Sequence, residues 1–146
     1  MGIKNIFIDG AISPDFIASS ITKHQSKKDI GAHEIFLGQV REDKLNNGIV
    51  KAIEFTAHEE MAGEKVNEIR EKAFDKFNLS CMHIYHSLNL VETGQICFYV
   101  FASSAHRNDC REAVAWLVDT IKEKVPIFGK QILESGEHEW KSNTPV

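Results

Sequence analysis

The chain has 146 residues, of which 42% are hydrophobic and 26% are charged, and its formal net charge at pH 7 is −4. This length and composition are typical of one globular domain, so residues 1–146 are predicted to form a single domain. The slightly acidic balance argues against a nucleic-acid or membrane-surface partner. No apolar run approaches the roughly 20 residues of a membrane-spanning helix, and the N-terminus lacks a signal-peptide pattern, so we expect a cytoplasmic protein.

A strand followed by a helix is predicted at the start of the chain. Ile3–Ile8 alternates sufficiently between apolar and polar side chains to indicate a strand. Ser13 and Pro14 then mark a helix start, because serine caps free N–H groups and proline is preferred in the first helical turn. This helix is predicted to fade near His24, where the sequence becomes polar and loses its period.

Two strands and a turn are predicted next. Gly31–Val40 and Ile49–Phe55 both have the apolar pattern of strands, and Asn47-Gly48 between them is a turn signal. We therefore expect residues 31–55 to form an antiparallel hairpin. Its long polar tip begins at Arg41.

A second helix is predicted to follow this hairpin. Thr56-Ala57-His58-Glu59 has the form of a capping box, in which a hydroxyl side chain is followed three residues later by glutamate. The helix is expected to run to about Phe77. Its buried stripe is predicted to consist of Ala62, Val66, Ile69, Ala73 and Phe77.

Two more strands and a third helix complete the predicted elements. The strands are Cys81–Leu88 and Gln95–Ala102, and the second is apolar enough to be covered on both faces. The helix runs from about Asn108 to Val125 and ends at Pro126, which has no N–H to donate. Its apolar face is predicted to consist of Cys110, Ala113, Val114, Leu117, Val118 and Ile121. Hairpin strands combined with three helices predict the α+β fold class.

The seven histidines and three cysteines do not have the spacing of a metal site. His83 and His86 lie three residues apart in a predicted strand, so their side chains are expected on opposite faces. His58-Glu59-Glu60 resembles the start of an HExxH zinc motif, but Ala62 occupies the position of the second histidine. The cysteines are widely spaced, and no glycine-rich phosphate-binding motif occurs. We therefore expect neither a metal nor a cofactor.

Cationic side chains near the third helix are the chemically suggestive feature. His106 and Arg107 lie at its N-terminus, where free N–H groups and the helix dipole favour an anion. Lys122 lies in its last turn, Lys130 follows the helix exit, and Arg41 follows a strand. Ordinary structural roles are open as well, because the dipole alone favours last-turn lysines and exposed arginines are commonly solvated. A lysine that acts near neutral pH needs a lowered pKa, which burial and neighbouring cations supply.

Five short stretches have a distinctive order and spacing. They are Gly31-Ala32 with Phe36-Leu37-Gly38-Gln39-Val40-Arg41, Glu59-Glu60-Met61-Ala62, Ser103-Ser104-Ala105-His106-Arg107, Asp119-Thr120-Ile121-Lys122, and Val125-Pro126-Ile127-Phe128. In these stretches the chain resembles the large, catalytic subunits of molybdopterin synthase. The resemblance implies an α/β-hammerhead type of α+β domain.

The resemblance also implies an activity and partners. Members of this family are sulfurtransferases that form a homodimer, and each copy holds one small ubiquitin-like sulfur carrier, which gives a heterotetramer. The carrier's C-terminal Gly-Gly tail ends in a thiocarboxylate. Two such sulfurs are transferred in succession to cyclic pyranopterin monophosphate, which opens its cyclic phosphate and forms the dithiolene of molybdopterin. The carrier thus imports the sulfur, so the subunit needs no reactive cysteine, metal or nucleotide motif.

Site residues follow from the matching motifs. Lys122 corresponds to the catalytic lysine beside the carrier tail, and Arg41, His106 and Arg107 correspond to the group that binds the substrate phosphate. Many members carry two consecutive lysines after the aromatic residue of the V-P-I motif, whereas this chain has Gly129-Lys130. Lys130 is therefore a candidate second catalytic lysine.

A second departure from the family pattern lies at the end of the predicted strand Cys81–Leu88. The family usually has His-Arg followed by Gly where this chain has His86-Ser87-Leu88-Asn89, so an arginine is missing. Two alternative functions stay open besides the sulfurtransferase. One is a carrier-binding scaffold with weak or no catalysis, suggested by Gly129, and the other is a phosphometabolite-binding protein without a carrier.

Overall fold

A computed structural model describes residues 5–141 of the chain. In chain order, its elements are β1 Phe7–Asp9, α1 Pro14–His24, β2 Ala32–Gln39, β3 Lys44–Leu45, β4 Gly48–Ala57, α2 Glu59–Lys76, β5 Cys81–Glu92, β6 Ile96–Ser104, α3 Arg107–Lys124, β7 Ile127–Leu133 and β8 His138–Trp140. The strands form one sheet in the order β2-β6-β5-β4-β7-β8, with β1 beside β5 and β3 beside β4. All pairs are antiparallel except β1 with β5. The predicted α+β class with three helices is confirmed for the described residues.

Strand β6 is the centre of the fold, because both of its faces are buried. Phe98 and Val100 belong to the larger core, which α2 and α3 cover. Tyr99 and Phe101 alternate with them and face the smaller core beside α1. Side chains alternate along a strand, so an almost continuously apolar strand requires cover on both sides. The prediction made for this strand is confirmed.

The helices begin and end close to their predicted limits. The Ser13 side chain accepts a hydrogen bond from the N–H of Phe16 at 3.1 Å, and α1 ends at His24. Helix α3 buries Cys110, Ala113, Val114, Leu117 and Ile121, five of the six residues predicted for its apolar face. Val118 is partly buried at its edge. No helix among residues 5–141 is long and apolar enough to cross a membrane.

The predicted hairpin over residues 31–55 is wrong. Strand β2 pairs with β6, whereas β4 pairs with β5 and β7. The turn signal instead closes a short hairpin between β3 and β4, in which Leu45 lies opposite Gly48. A strand's own pattern shows which face is buried but does not identify its partner, and here the partner of β2 is distant in the sequence.

The predicted capping box at Thr56 is also wrong. Thr56 belongs to β4, where it pairs with Phe128 of β7, so its backbone is held in the sheet. Helix α2 begins at Glu59 after the N-cap His58, whose side chain makes no capping bond within the described part of the chain. Near the N-terminus, β1 runs from Phe7 to Asp9 and overlaps the predicted strand Ile3–Ile8 only at Phe7 and Ile8. The predicted strand residues Ile3 and Lys4 lie outside the described residues.

Candidate active site

A cavity of about 80 Å³ lies between the last turn of α3 and the sheet. Residues from several strands and from the chain segment after β8 form its wall. Those with chemical or steric importance are His86, Cys97, Phe98, Lys122, Gly129 and Lys141. Elements distant in the sequence thus meet at this cavity, and Lys122 is the predicted site residue that lines it.

Lys122 extends from the last turn of α3 over an aromatic ring. Its Nζ atom lies 5.4 Å from the centroid of the Phe98 ring, within the range of a cation–π contact. Desolvation lowers the pKa of Lys122; the neighbouring Lys141 adds to this effect, and Cys97 opposes it. A lysine whose neutral form becomes more accessible is suited to proton transfer.

His86 presents a neutral imidazole to the same cavity. The side chain is 5% exposed, and burial lowers its pKa to about 4. Its Nδ1 lies 2.8 Å from the carbonyl oxygen of Ser87, so Nδ1 carries the proton and donates it to that oxygen. The Phe55 and Phe98 rings pack against the imidazole at 4.9 and 5.2 Å between centroids. The Nε2 atom of the neutral ring is therefore the proton-accepting one.

Cys97 adds an uncharged thiol to the cavity wall. Burial raises its pKa, although the nearby charges of Lys122 and Lys141 act in the opposite direction. The thiol lies 3.5 Å from the carbonyl oxygen of Gly38, to which its S–H donates. Because a thiol with a raised pKa is a poor nucleophile at neutral pH, Cys97 is a wall residue rather than a sulfur donor.

Arg41 lies at an adjoining, more open cavity. This second cavity is lined by Arg41, Glu42 and Thr93, and it shares Gln39, Val40 and Lys141 with the first cavity. The exposed Arg41 guanidinium forms an ion pair with Asp43, which raises the pKa of Arg41 and lowers the pKa of Asp43. Arg41 and Lys122 thus face neighbouring spaces, with Lys141 at the boundary between them.

His106 and Arg107 lie at the opposite end of α3 from Lys122. Arg107 and Lys122 are fifteen residues apart in this helix, or about 22 Å along its axis. His106 and Arg107 are exposed, and within residues 5–141 the N-cap His106 makes no side-chain capping hydrogen bond. Two charged ends of one straight helix cannot reach a common small ligand.

Arg41 is also separated from His106 and Arg107 within one chain. The N–H of Gly31, just before β2, donates to the carbonyl oxygen of Ser104 at 3.0 Å, so the start of β2 lies near the start of α3. Arg41 follows ten residues later, roughly 30 Å away along an extended strand. A single chain therefore does not assemble the predicted anion-binding group.

Lys130 lies on the opposite face of β7 from the cavity. Gly129 lines the cavity, and adjacent strand residues point to opposite faces. The Nζ atom of Lys130 is 3.2 Å from Glu54 Oε1 and 6.0 Å from the centroid of the Trp140 ring. Its predicted catalytic role stays a prediction.

Three cavity residues were not predicted from the sequence as site residues. In the sequence, His86 enters as a possible metal ligand and in the family's His-Arg-Gly pattern, and Cys97 is one of three scattered cysteines. Lys141 follows Trp140 in a short polar segment whose pattern contains no site signal. These residues meet only through sheet pairing, and among the described residues no group of three or more His, Cys, Asp or Glu side chains is arranged to hold a metal ion.

Comparisons with known proteins agree with this architecture. The family model described as MoaE protein matches residues 12–124. The chain is 35% identical over 112 residues to the molybdopterin synthase catalytic subunit of Pyrococcus abyssi, covering 77% of this chain and 75% of that protein. It is 36% identical over 115 residues to the catalytic subunit of Thermoplasma volcanium, covering 78% and 82%.

Solved structures share the fold. Molybdopterin synthase from Staphylococcus aureus superimposes with a TM-score of 0.80 at 24% identity, covering 97% of this chain and 99% of that chain. A complex of subunits 1 and 2 of molybdopterin-converting factor from Helicobacter pylori gives a TM-score of 0.79 at 20% identity, covering 93% and 88%. At these identities the likeness concerns the fold.

Proposed function

Because the chain belongs to the MoaE protein family, whose curated members include molybdopterin synthase catalytic subunits, we propose that it transfers sulfur to cyclic pyranopterin monophosphate. The sulfur is brought as the C-terminal thiocarboxylate of a small ubiquitin-like carrier. The observation that carries the proposal is Lys122, a lysine with a lowered pKa at a narrow cavity. A partner subunit is supported by the two-subunit composition of the Helicobacter pylori complex.

The cavity suits the end of a carrier tail. A Gly-Gly terminus has no side chains, so it fits a space that would exclude bulkier residues. In each of two successive transfers, the thiocarboxylate sulfur of a carrier bonds to a side-chain carbon of the pterin substrate and replaces an oxygen there, which leaves as water or as the freed end of the cyclic phosphate. Water then cleaves the bond between that sulfur and the carrier's carbonyl carbon. The carrier leaves with an ordinary carboxylate. Lys122 stabilises the negative charge that develops in these steps and transfers protons.

Two copies of the chain are needed for a complete site in this proposal. His106 and Arg107 lie about 22 Å from Lys122 along α3 within one chain, so a second copy supplies them. In a twofold-symmetric dimer, each of two equivalent sites then contains Lys122 from one copy and the helix N-terminus of the other. Arg and His at a helix N-terminus hold the substrate's phosphate. With one carrier for each copy, the assembly is a heterotetramer.

A carrier-binding scaffold is the second candidate function. It is favoured by Gly129, which places no cation in the cavity, and by Lys130, which pairs with Glu54 on the other face. In this case the protein binds the carrier without turning over the substrate. The variant Lys130→Ala tests the prediction that Lys130 is a second catalytic lysine. A loss of turnover as large as that of Lys122→Ala supports this catalytic role.

A single-turnover assay tests the proposed function. The protein is mixed with the organism's thiocarboxylated carrier and cyclic pyranopterin monophosphate, and molybdopterin is measured by fluorescence after oxidation. Lys122→Ala is compared with wild type and with Lys72→Ala, a change at an exposed lysine of α2. If wild type and Lys72→Ala form product and Lys122→Ala does not, the result supports a sulfurtransferase that uses Lys122. Carrier binding without product from wild type supports the scaffold.

A further inference from the structure

Lys141 is held beside Gly129 by the continuation of a sheet ladder. Trp140 of β8 lies opposite Lys130 of β7, and the next N–H, that of Lys141, donates to the carbonyl oxygen of Gly129 at 2.8 Å. Residues that lie opposite each other in an antiparallel pair project to the same face. Lys130 and Trp140 are in contact on the outer face, so Lys141 projects with Gly129 toward the cavity.

Gly129 leaves the wall of the cavity free for this lysine. A Cβ atom at position 129 would lie 3.0 Å from Ile53 Cγ2 and 3.4 Å from Phe55 Cε1, which is tighter than ordinary van der Waals contact. The residue at position 129 therefore contributes a backbone carbonyl that anchors Lys141 and no side chain of its own. The cation at this point of the cavity comes from Lys141, the residue that follows β8.

The charge of Lys141 acts on both cavities. It lines the cavity that contains Lys122 and the neighbouring one that contains Arg41. Its positive charge contributes to the lowered pKa values of Lys122 and of Asp43, the partner of Arg41. Arg41 is paired with Asp43, but Lys122 and Lys141 repel each other at the cavity that they share, and an anion bound beside them relieves this repulsion. The arrangement is thus a candidate anion-binding junction.

We propose that Lys141 is the second cationic residue of the reaction cavity and contacts an anionic group at the junction between Lys122 and Arg41. This inference rests on the proposed function, which supplies two anions of suitable chemistry. One is the phosphate of the pterin substrate, and the other is the carboxyl-type terminus of the carrier. Lys141 performs this role from the position just after β8, outside the segment between residues 12 and 124 that the family model matches.

Equilibrium binding and single-turnover measurements test the proposal on the full chain. The variants are Lys141→Ala, Lys141→Arg, which retains the charge, and Lys72→Ala as the surface control. Binding is measured by calorimetry with the pterin substrate alone and with carrier that ends in an ordinary carboxylate, so that no turnover occurs. Circular dichroism and thermal melting establish that the variants are folded.

Lys141→Ala is expected to lower the affinity for one of the two ligands by about tenfold or more, since hydrogen bonds to charged groups contribute that much. Weaker substrate binding identifies the phosphate as the anion, and weaker carrier binding identifies the terminus. Lys141→Arg should retain most of the affinity, and the pH–rate profile of Lys141→Ala should move to higher pH, because Lys122 loses a neighbouring cation.

Two results would overturn the proposal in distinguishable ways. In the first, Lys141→Ala binds both ligands and turns over within twofold of wild type, while Lys122→Ala is inactive. This result leaves the proposed function intact and removes Lys141 from the site. A wild-type protein that makes no product defeats the proposed catalysis, and the two binding measurements then still decide the role of Lys141. A wild type that binds neither ligand contradicts both.

Discussion

Arg107 and Lys122 belong to the same helix but lie about 22 Å apart at its two ends, because fifteen residues separate them along α3. Each has the chemistry expected of a site residue, yet one chain cannot bring them to one ligand. In the proposed dimer, each site combines Lys122 of one copy with Arg107 of the other copy. This proposal links assembly to catalysis, and the link can be measured.

Mixing two inactive variants should restore activity. Arg107→Ala and Lys122→Ala are each expected to be inactive as homodimers, whereas a mixed dimer contains one site with both residues intact. After subunit exchange, we expect about a quarter of the wild-type single-turnover yield, because half of the dimers are mixed and one of their two sites works. The measurement is the single-turnover yield before and after exchange. No recovery, with mixed dimers demonstrated, would show that the two residues do not act in a shared site.

Lys122→Ala should lose at least about a hundredfold in the rate of sulfur transfer, since positioned acid–base groups contribute that much or more. Lys122→Arg should not restore the rate, because arginine keeps its proton at accessible pH. Carrier binding should be retained in both variants. A rate for Lys122→Arg near that of wild type would mean that only the positive charge of Lys122 is used.

His86 should make folding stability depend on pH. Its pKa in the folded protein is about 4, below the ordinary value of 6.5, so the unfolded chain binds the proton more strongly between these pH values. The stabilisation is fully present above pH 6.5 and is lost as the pH falls toward 4.

Between pH 7 and pH 5, the wild type should therefore lose about 2 kcal/mol more in free energy of unfolding than His86→Asn. Urea unfolding at several pH values gives this difference, and His138→Asn on the exposed strand β8 is the matched control. An identical pH dependence in wild type and His86→Asn would contradict a neutral, buried His86.

Gly129→Ala should lower both stability and turnover. The added Cβ meets Ile53 Cγ2 at 3.0 Å, and this overpacking is expected to cost about 1 kcal/mol. The methyl group also narrows the cavity beside Lys141. Thermal melting and the single-turnover rate provide the measurements. An alanine variant that is as stable and as active as wild type would show that Ile53 and Phe55 shift to accommodate the methyl group.

Local sequence patterns were sufficient for much of the fold. Ser13 and Pro14 fixed the start of α1, and the 3.6-residue period of α3 identified the face that it buries. The continuous apolar run of β6 predicted its two covered faces. These features depend on residues within a few positions of one another. The family was likewise indicated by five short stretches, one of which contains Lys122.

Tertiary structure alone decided the sheet partners and the composition of the cavity. The pattern of β2 was compatible with β4 as a partner, and the capping form at Thr56 was locally satisfactory, but long-range ladders with β6 and β7 prevailed. Lys141 lines the same cavity as Lys122 only because β8 folds back on β7. Pairing between distant strands depends on the packing of the entire core, and no window of neighbouring residues contains that information.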